Sequence, residues 1–254
     1  MDQIKNELSK LLIENKELMK EFKSATYKES FQLLLESNRP LFDAIERAYD
    51  ETDEKEALIN DLAEDFVSRA KSVYDTLPKK GAKSNYLMDA NMLMGTYIIP
   101  CIVEYKGKSS EVLADTILNK WNLVFTQFNL QKGSFTDIDS SFRRKLCYIT
   151  TAVCNCLNKE DDCYELTLLR NYRDTYLTSQ PGGKELIEQY YSVAPQIVFG
   201  IDQMRDAKDI YRDIYREYLS PCISLIENQE YEICKQMYSG MVLELENTYL
   251  GYLS

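Results

Sequence analysis

The chain contains no histidine. Without an imidazole there can be no Ser-His-Asp or Cys-His relay and no histidine-ligated zinc. Glycine and proline are sparse, nine and six respectively among 254 residues. That is too few for a turn-rich all-β chain or for a glycine-rich phosphate cradle. Basic charge is short as well: 30 Lys and Arg stand against 41 Asp and Glu, for a net charge of −11. A broad electrostatic grip on nucleic acid or an anionic membrane is therefore not expected. Long apolar runs are missing too. The most apolar stretch, residues 97–103, is interrupted by Pro100 and falls far short of the ~20 residues of a membrane span.

The opening Met1-Asp2-Gln3-Ile4-Lys5 leads into an amphipathic stretch rather than a basic region followed by an apolar block, so no signal peptide is expected. The seven cysteines are an odd number scattered through helical patterns. With no secretory signal they read as reduced thiols of a cytoplasmic protein, most of them packed as small hydrophobes. A hydrophobic content of 44% is enough for a sizeable core.

What is present is helical periodicity, almost everywhere. Ile4, Leu8, Leu11, Leu18 and Phe22 form a stripe with Asn15 as a polar gap. A second stretch carries Phe31 and Leu33-Leu34-Leu35, is expected to break near Pro40, and resumes with Phe42, Ile45 and Tyr49. Ile59, Leu62, Phe66, Ala70 and Val73 mark a third, which stops before Pro78. Residues 86–105 form a more apolar helix, kinked or broken at Pro100. Ser109 or Ser110 can cap the next, whose face is Leu113, Ile117, Trp121, Val124 or Phe125, and Phe128. The segment 131–140 reads as the main internal boundary.

Beyond it, Phe142, Leu146, Ile149, Val153 and Leu157 share a stripe. Asp162 and Glu165 have the spacing of a capping box, opening a helix to about Thr178. Pro181-Gly182-Gly183 makes a turn, and residues 184–193 a short helix stopped by Pro195. A heptad of Ile197, Ile201, Met204, Lys208, Tyr211, Tyr215 and Tyr218 follows, and Pro221 separates it from a closing helix. The expected fold is an all-α multi-helix bundle of about 8–10 helices without significant β-sheet. An N-terminal bundle (1–135) would pack with a helical module (136–254) as one compact unit.

The C-terminal half carries a recognisable series: Cys147-Tyr148-Ile149-Thr150-Thr151-Ala152, then Glu165-Leu166, then Leu169-Arg170-Asn171-Tyr172-Arg173-Asp174, with Tyr190-Tyr191 and Pro195 after them. It resembles the bacterial CFI-box C-terminal domain family, with its Cys-aromatic-Ile box and Arg-x-aromatic-Arg-Asp helix, over about residues 145–200. The resemblance implies a helical module found on many bacterial proteins, with no activity attached. Commoner members follow the box with Ala-Tyr-Gly, so Cys154 and Cys156 depart from the pattern.

Cys147, Cys154, Cys156 and Cys163 invite a zinc reading. At about 100° per residue, Cys147 and Cys154 fall about 20° apart on a helix, but Cys154 and Cys156 about 200° apart. One tetrahedral ion cannot collect all four, and no metal or other cofactor is expected. Cys147 is a candidate nucleophile, preceded by Arg143, Arg144 and Lys145, with Glu165 and Asp174 as base or orienting groups. The alternative is that Cys147 is packed core, Thr151 bonds back to a carbonyl, Glu165 caps its own helix and Arg170 pairs with Asp174. Arg170 and Arg173 could hold a phosphate or carboxylate, or pair internally. Tyr190 and Tyr191, among 19 tyrosines, suit either a recognition groove or a half-buried seam.

Two functions stay open, beside a third reading of reversible acylation or oxidation at the cysteine cluster. The first is an interaction or scaffold protein without catalytic activity, binding a protein partner or a second copy through its first helix or the 197–218 heptad. The second is a thiol-dependent hydrolase or transferase using Cys147.

Overall fold

The computed structural model describes residues 1–143, 148–160 and 162–250. It is all-α, with no strand among the described residues. The chain divides into two compact units, Met1–Arg143 and Arg144–Ser254.

The first unit holds α1 (Asp2–Ile13), α2 (Tyr27–Glu51), α3 (Lys55–Thr76), α4 (Lys80–Glu104), α5 (Ser110–Val124) and α6 (Phe135–Arg143). α1 ends at the polar gap, where the Asn15 amide donates to the Leu11 carbonyl at 3.1 Å. The stripe then passes through a 3-10 turn, Lys16–Glu21, which seats Met19 and, just beyond it, Phe22 in the core. α3 packs along α5. Phe66 and Trp121 are sealed there, and burying a side chain of this kind is worth about 1.5–3 kcal/mol. The Trp121 indole N–H donates to Asn91 Oδ1 at 2.7 Å. Phe125 rather than Val124 completes the α5 face.

Four prolines expected to stop, break or separate helices, Pro40, Pro100, Pro195 and Pro221, do not. α2 is continuous through Pro40. An interior proline costs about 3 kcal/mol, and Leu41, Phe42 and Ile45, all buried on the far side of it, outweigh that. α4 runs unbroken through Pro100 by opening into a wider π turn at Met94–Ile98. The extra residue in the turn lifts the carbonyl one turn back away from the proline ring. α4 has the length and composition of a membrane span, and 89% of its most apolar window is buried inside the unit.

The segment 131–140, read as a boundary, instead supplies α6 to the first unit. Ser134 caps α6, its hydroxyl accepting from the Asp137 N–H at 3.1 Å. Phe135 stacks on Phe31 at 4.5 Å, and Phe142 meets Phe22 at 5.1 Å. The first unit therefore ends at Arg143.

The second unit holds α7 (Tyr148–Cys156), α8 (Tyr164–Tyr172), α9 (Gly183–Asp202), α10 (Ala207–Ile214), α11 (Ser220–Glu227) and α12 (Tyr231–Leu250). π turns extend α8 over Arg173–Leu177 and join α10 to α11 over Tyr215–Leu219. The latter precedes Pro221 at the same offset as the π turn before Pro100. α9 does not stop at Val193 but continues through Pro195 to Asp202, burying Ala194, Ile197 and Ile201. The 197–218 heptad is consequently not one helix: it breaks between Asp202 and Ala207. Tyr211 spans the break, its hydroxyl donating to Asp202 Oδ1 at 2.7 Å. The turn before α9 uses Gly182 at φ +71°, and a Cβ on Gly183 would fall 1.8 Å from the Leu177 carbonyl oxygen.

Candidate functional site

Cys147, the nucleophile candidate, lies outside the described residues, as does the helical continuity expected from Phe142 onward. The hydroxyls of Thr150 and Thr151 are buried and find no partner among the described residues.

The remaining candidates separate into two clusters on α8. Arg173, Asp174, Tyr190 and Tyr191 form the first. Arg173 holds Asp174 with two bonds, Nε to Oδ1 at 2.7 Å and Nη2 to Oδ2 at 2.9 Å, and its Nη1 donates to the Tyr191 hydroxyl at 2.6 Å. The Arg173 guanidinium pulls the Asp174 carboxyl below its ordinary range, against partial burial, and the Arg170 charge adds to the pull. Beside the Arg170 charge, Asp174 is thus held by its chain neighbour Arg173, at the start of the π turn. Tyr190 is buried, and its hydroxyl accepts the Ile149 N–H at 3.0 Å. Its ring packs edge-on to Tyr191 at 5.5 Å, while Tyr148 meets Tyr191 at 6.2 Å. Beside them Leu169, Tyr172, Leu186, Tyr190 and Val242 line an apolar cavity of about 30 Å³, the scale of one or two waters.

Glu165, Lys159, Cys163 and Cys154 form the second cluster, one face of which sequence reasoning missed. The capping box is not made. Cys163, not Asp162, stands at the N-cap position, without a side-chain bond to the helix. Glu165 turns instead to Lys159 Nζ. That ammonium and the Cys163 thiol hold the Glu165 carboxyl below its ordinary range, with Lys159 the larger influence. Lys159 also stands over the Tyr215 ring at 5.4 Å. Cys154 is fully buried; burial first, and the nearby Cys163 second, push its thiol up to about 12. Cys156 points elsewhere, its thiol donating to the Lys208 carbonyl at 3.6 Å, as the helical angle requires. Among the described residues, no three Cys, Asp or Glu are placed to hold a metal. The signal for the Cys154–Cys163 approach was the intervening Asn158, at φ 57°. Asparagine is one of the few residues that readily adopts this left-handed turn.

The first unit offers a third feature. Val112, Thr116, Asn119, Lys120 and Leu123 of α5 face Tyr49, Lys55, Ile59 and Asn60 across an open groove of about 620 Å³. Leu123 is 78% exposed. It lies off the stripe that buries Leu113, Ile117 and Trp121, which is the mark the sequence carried.

No family model, no curated protein and no solved structure matches the chain.

Proposed function

We propose that the protein is an interaction module whose binding face is the α3–α5 groove of the first unit. One observation carries the reading: a large leucine stands in water at the rim of a groove big enough to receive side chains of a partner. Lys55 and Lys120 stand beside it, with Glu56 the one carboxylate of the lining. In a chain of net charge −11 this favours a partner helix with a large apolar residue flanked by carboxylates. Tyr49 is suited to an anchoring role, since Lys55 Nζ sits 4.8 Å above its ring and pre-orders it. The CFI-box-like segment, a module without attached activity, fits the same non-catalytic role.

The test uses affinity capture from the native host with three baits: the wild-type chain, Leu123→Asp, and Leu33→Asp as a control at an exposed leucine of α2. A partner held by the wild type and by Leu33→Asp but lost by Leu123→Asp is the expected result. Sedimentation velocity of the purified chain then decides whether that partner is a second copy. Capture that is indifferent to Leu123, with no Leu123-dependent self-association, overturns the reading.

A further inference from the structure

We propose that the partner received by the α3–α5 groove is a second copy of the chain, docked antiparallel across a two-fold axis; the inference rests on the groove being the binding face. On the exposed side of α5, Val112, Thr116, Asn119 and Leu123 recur at four, three and four, the spacing of a seam between two packed helices. Val112 is 39% exposed and Leu123 78%, so the two apolar ends of this seam stand in water. The faces expected to mediate self-association are already occupied or interrupted. The α1 stripe is buried at Leu8 and Leu11, and the 197–218 heptad breaks between Asp202 and Ala207.

The groove is self-complementary when one copy is turned end for end. α3 and α5 run in the same direction, since Phe66 meets Trp121 at 6.4 Å and Tyr74 meets Phe125 at 5.6 Å. One end of the groove therefore carries Tyr49, Glu56 and Val112, and the other Lys120 and Leu123. Lys120 sits beside Glu64 at 2.9 Å, which is about two turns, or 12 Å, along α3 from the exposed Glu56. A two-fold axis across the seam sets Leu123 of each copy against Val112 and Tyr49 of the other, and Thr116 against Asn119. The same operation brings Glu56 to Lys120 twice.

A second copy also meets the charge requirement of the groove. It brings a large leucine on α5, with the carboxylates Glu56 and Glu64 on the helix packed beside it. Its own Lys120 then answers Glu56, which a purely acidic partner would leave opposed by like charge. Both signs of charge in the lining are used, each by its opposite on the other copy.

The experiment is sedimentation velocity of the purified full-length chain, taken up to about 100 µM, for the wild type, Leu123→Asp, Glu56→Lys and Lys120→Glu. With rising concentration the wild type is expected to move from 29.6 kDa toward twice that mass, while Leu123→Asp stays at 29.6 kDa. Glu56→Lys and Lys120→Glu each set like charges together twice in a dimer, and raise its Kd about tenfold or more. An equimolar mixture of these two variants re-forms the dimer, because one copy then carries lysine at both positions and the other glutamate at both. Loss of fold cannot imitate that rescue. A mixture that associates no better than either variant alone overturns the proposal, as does a wild-type dimer that survives Leu123→Asp. A wild type that stays monomeric at about 100 µM overturns it too. In that case Leu123-dependent capture of a different protein leaves the groove reading standing, and capture indifferent to Leu123 removes both.

Discussion

The hydroxyl of Tyr27 donates to the carbonyl oxygen of Thr96 at 2.8 Å, inside the core of the first unit. Thr96 lies one turn before Pro100, which has no N–H to give it. A side chain 69 positions away therefore supplies the donor that the helix cannot. The same hydroxyl is desolvated and keeps its proton far beyond the ordinary phenol range. Tyr27→Phe keeps the ring contacts and strands the Thr96 carbonyl, so unfolding free energy falls by about 1–3 kcal/mol. Pro100→Ala restores a backbone donor. Denaturant titration of both single variants and the double one should find the Tyr27→Phe loss smaller in the Pro100→Ala background. Equal losses would disconnect the two residues.

Glu46 of α2 takes over the capping of α5 from serine. Its carboxylate accepts from the Lys108 N–H at 2.6 Å, and from the Ser109 N–H at 3.0 Å and hydroxyl at 2.6 Å. Burial works to raise its pKa, but these bonds together outweigh it and hold Glu46 below its ordinary value. A lowered folded value means that the stabilisation is present above the unfolded pKa and lost as pH falls through the folded one. Glu46→Ala should cost about 1 kcal/mol at neutral pH, and the gap from wild type should close in titrations carried below about pH 4.

Asp89 on α4 has a buried Oδ1 without a hydrogen-bond partner among the described residues. Desolvation raises its pKa from 3.8 to about 7, and only the charge of Lys16 opposes this. Lys16 belongs to the 3-10 turn and also sits 5.4 Å over the Tyr86 ring. A raised folded value contributes stability that is intact below the unfolded pKa and lost as pH rises through the folded one. The wild-type chain should therefore weaken between about pH 4 and pH 7. Asp89→Asn removes that slope, matching wild type near pH 4 and exceeding it by about 1–2 kcal/mol at pH 8, a figure reduced for partial exposure. Thermal melts at the two pH values check it. A variant no more stable at pH 8 would mean that Lys16 compensates the charge in full.

Tyr190 of α9 ties α7 to α9 by accepting the Ile149 N–H at 3.0 Å. Tyr190→Phe should lower stability by about 1–3 kcal/mol and speed hydrogen exchange at the Ile149 amide. Unchanged exchange there would show the bond to be dispensable.

Much of the first unit was legible from spacing alone. Leu8, Leu11, Phe31, Ile45, Ile59, Phe66, Leu113, Ile117 and Trp121 all stand on expected stripes, and all are buried. The prolines were misread because a breaker rule describes only the local cost. Around Pro40 and Pro195 long-range burial exceeds it, and around Pro100 and Pro221 a wider turn relieves the clash. At the candidate site the divergence of Cys154 and Cys156 followed from helical angle. The approach of Cys154 to Cys163 did not, since it depends on how the chain turns at Asn158.

By itself the sequence determined that this protein is helical and, lacking histidine, that histidine-based catalysis is closed to it. Both follow from residue identity and from periodicity, which need no knowledge of neighbours in space. The tertiary structure decided which polar groups satisfy one another: Tyr27 with Thr96, Glu46 with the start of α5, Arg173 with Asp174 and Tyr191. Hydrogen bonds are directional and short-ranged, so their partners exist only once the helices have packed.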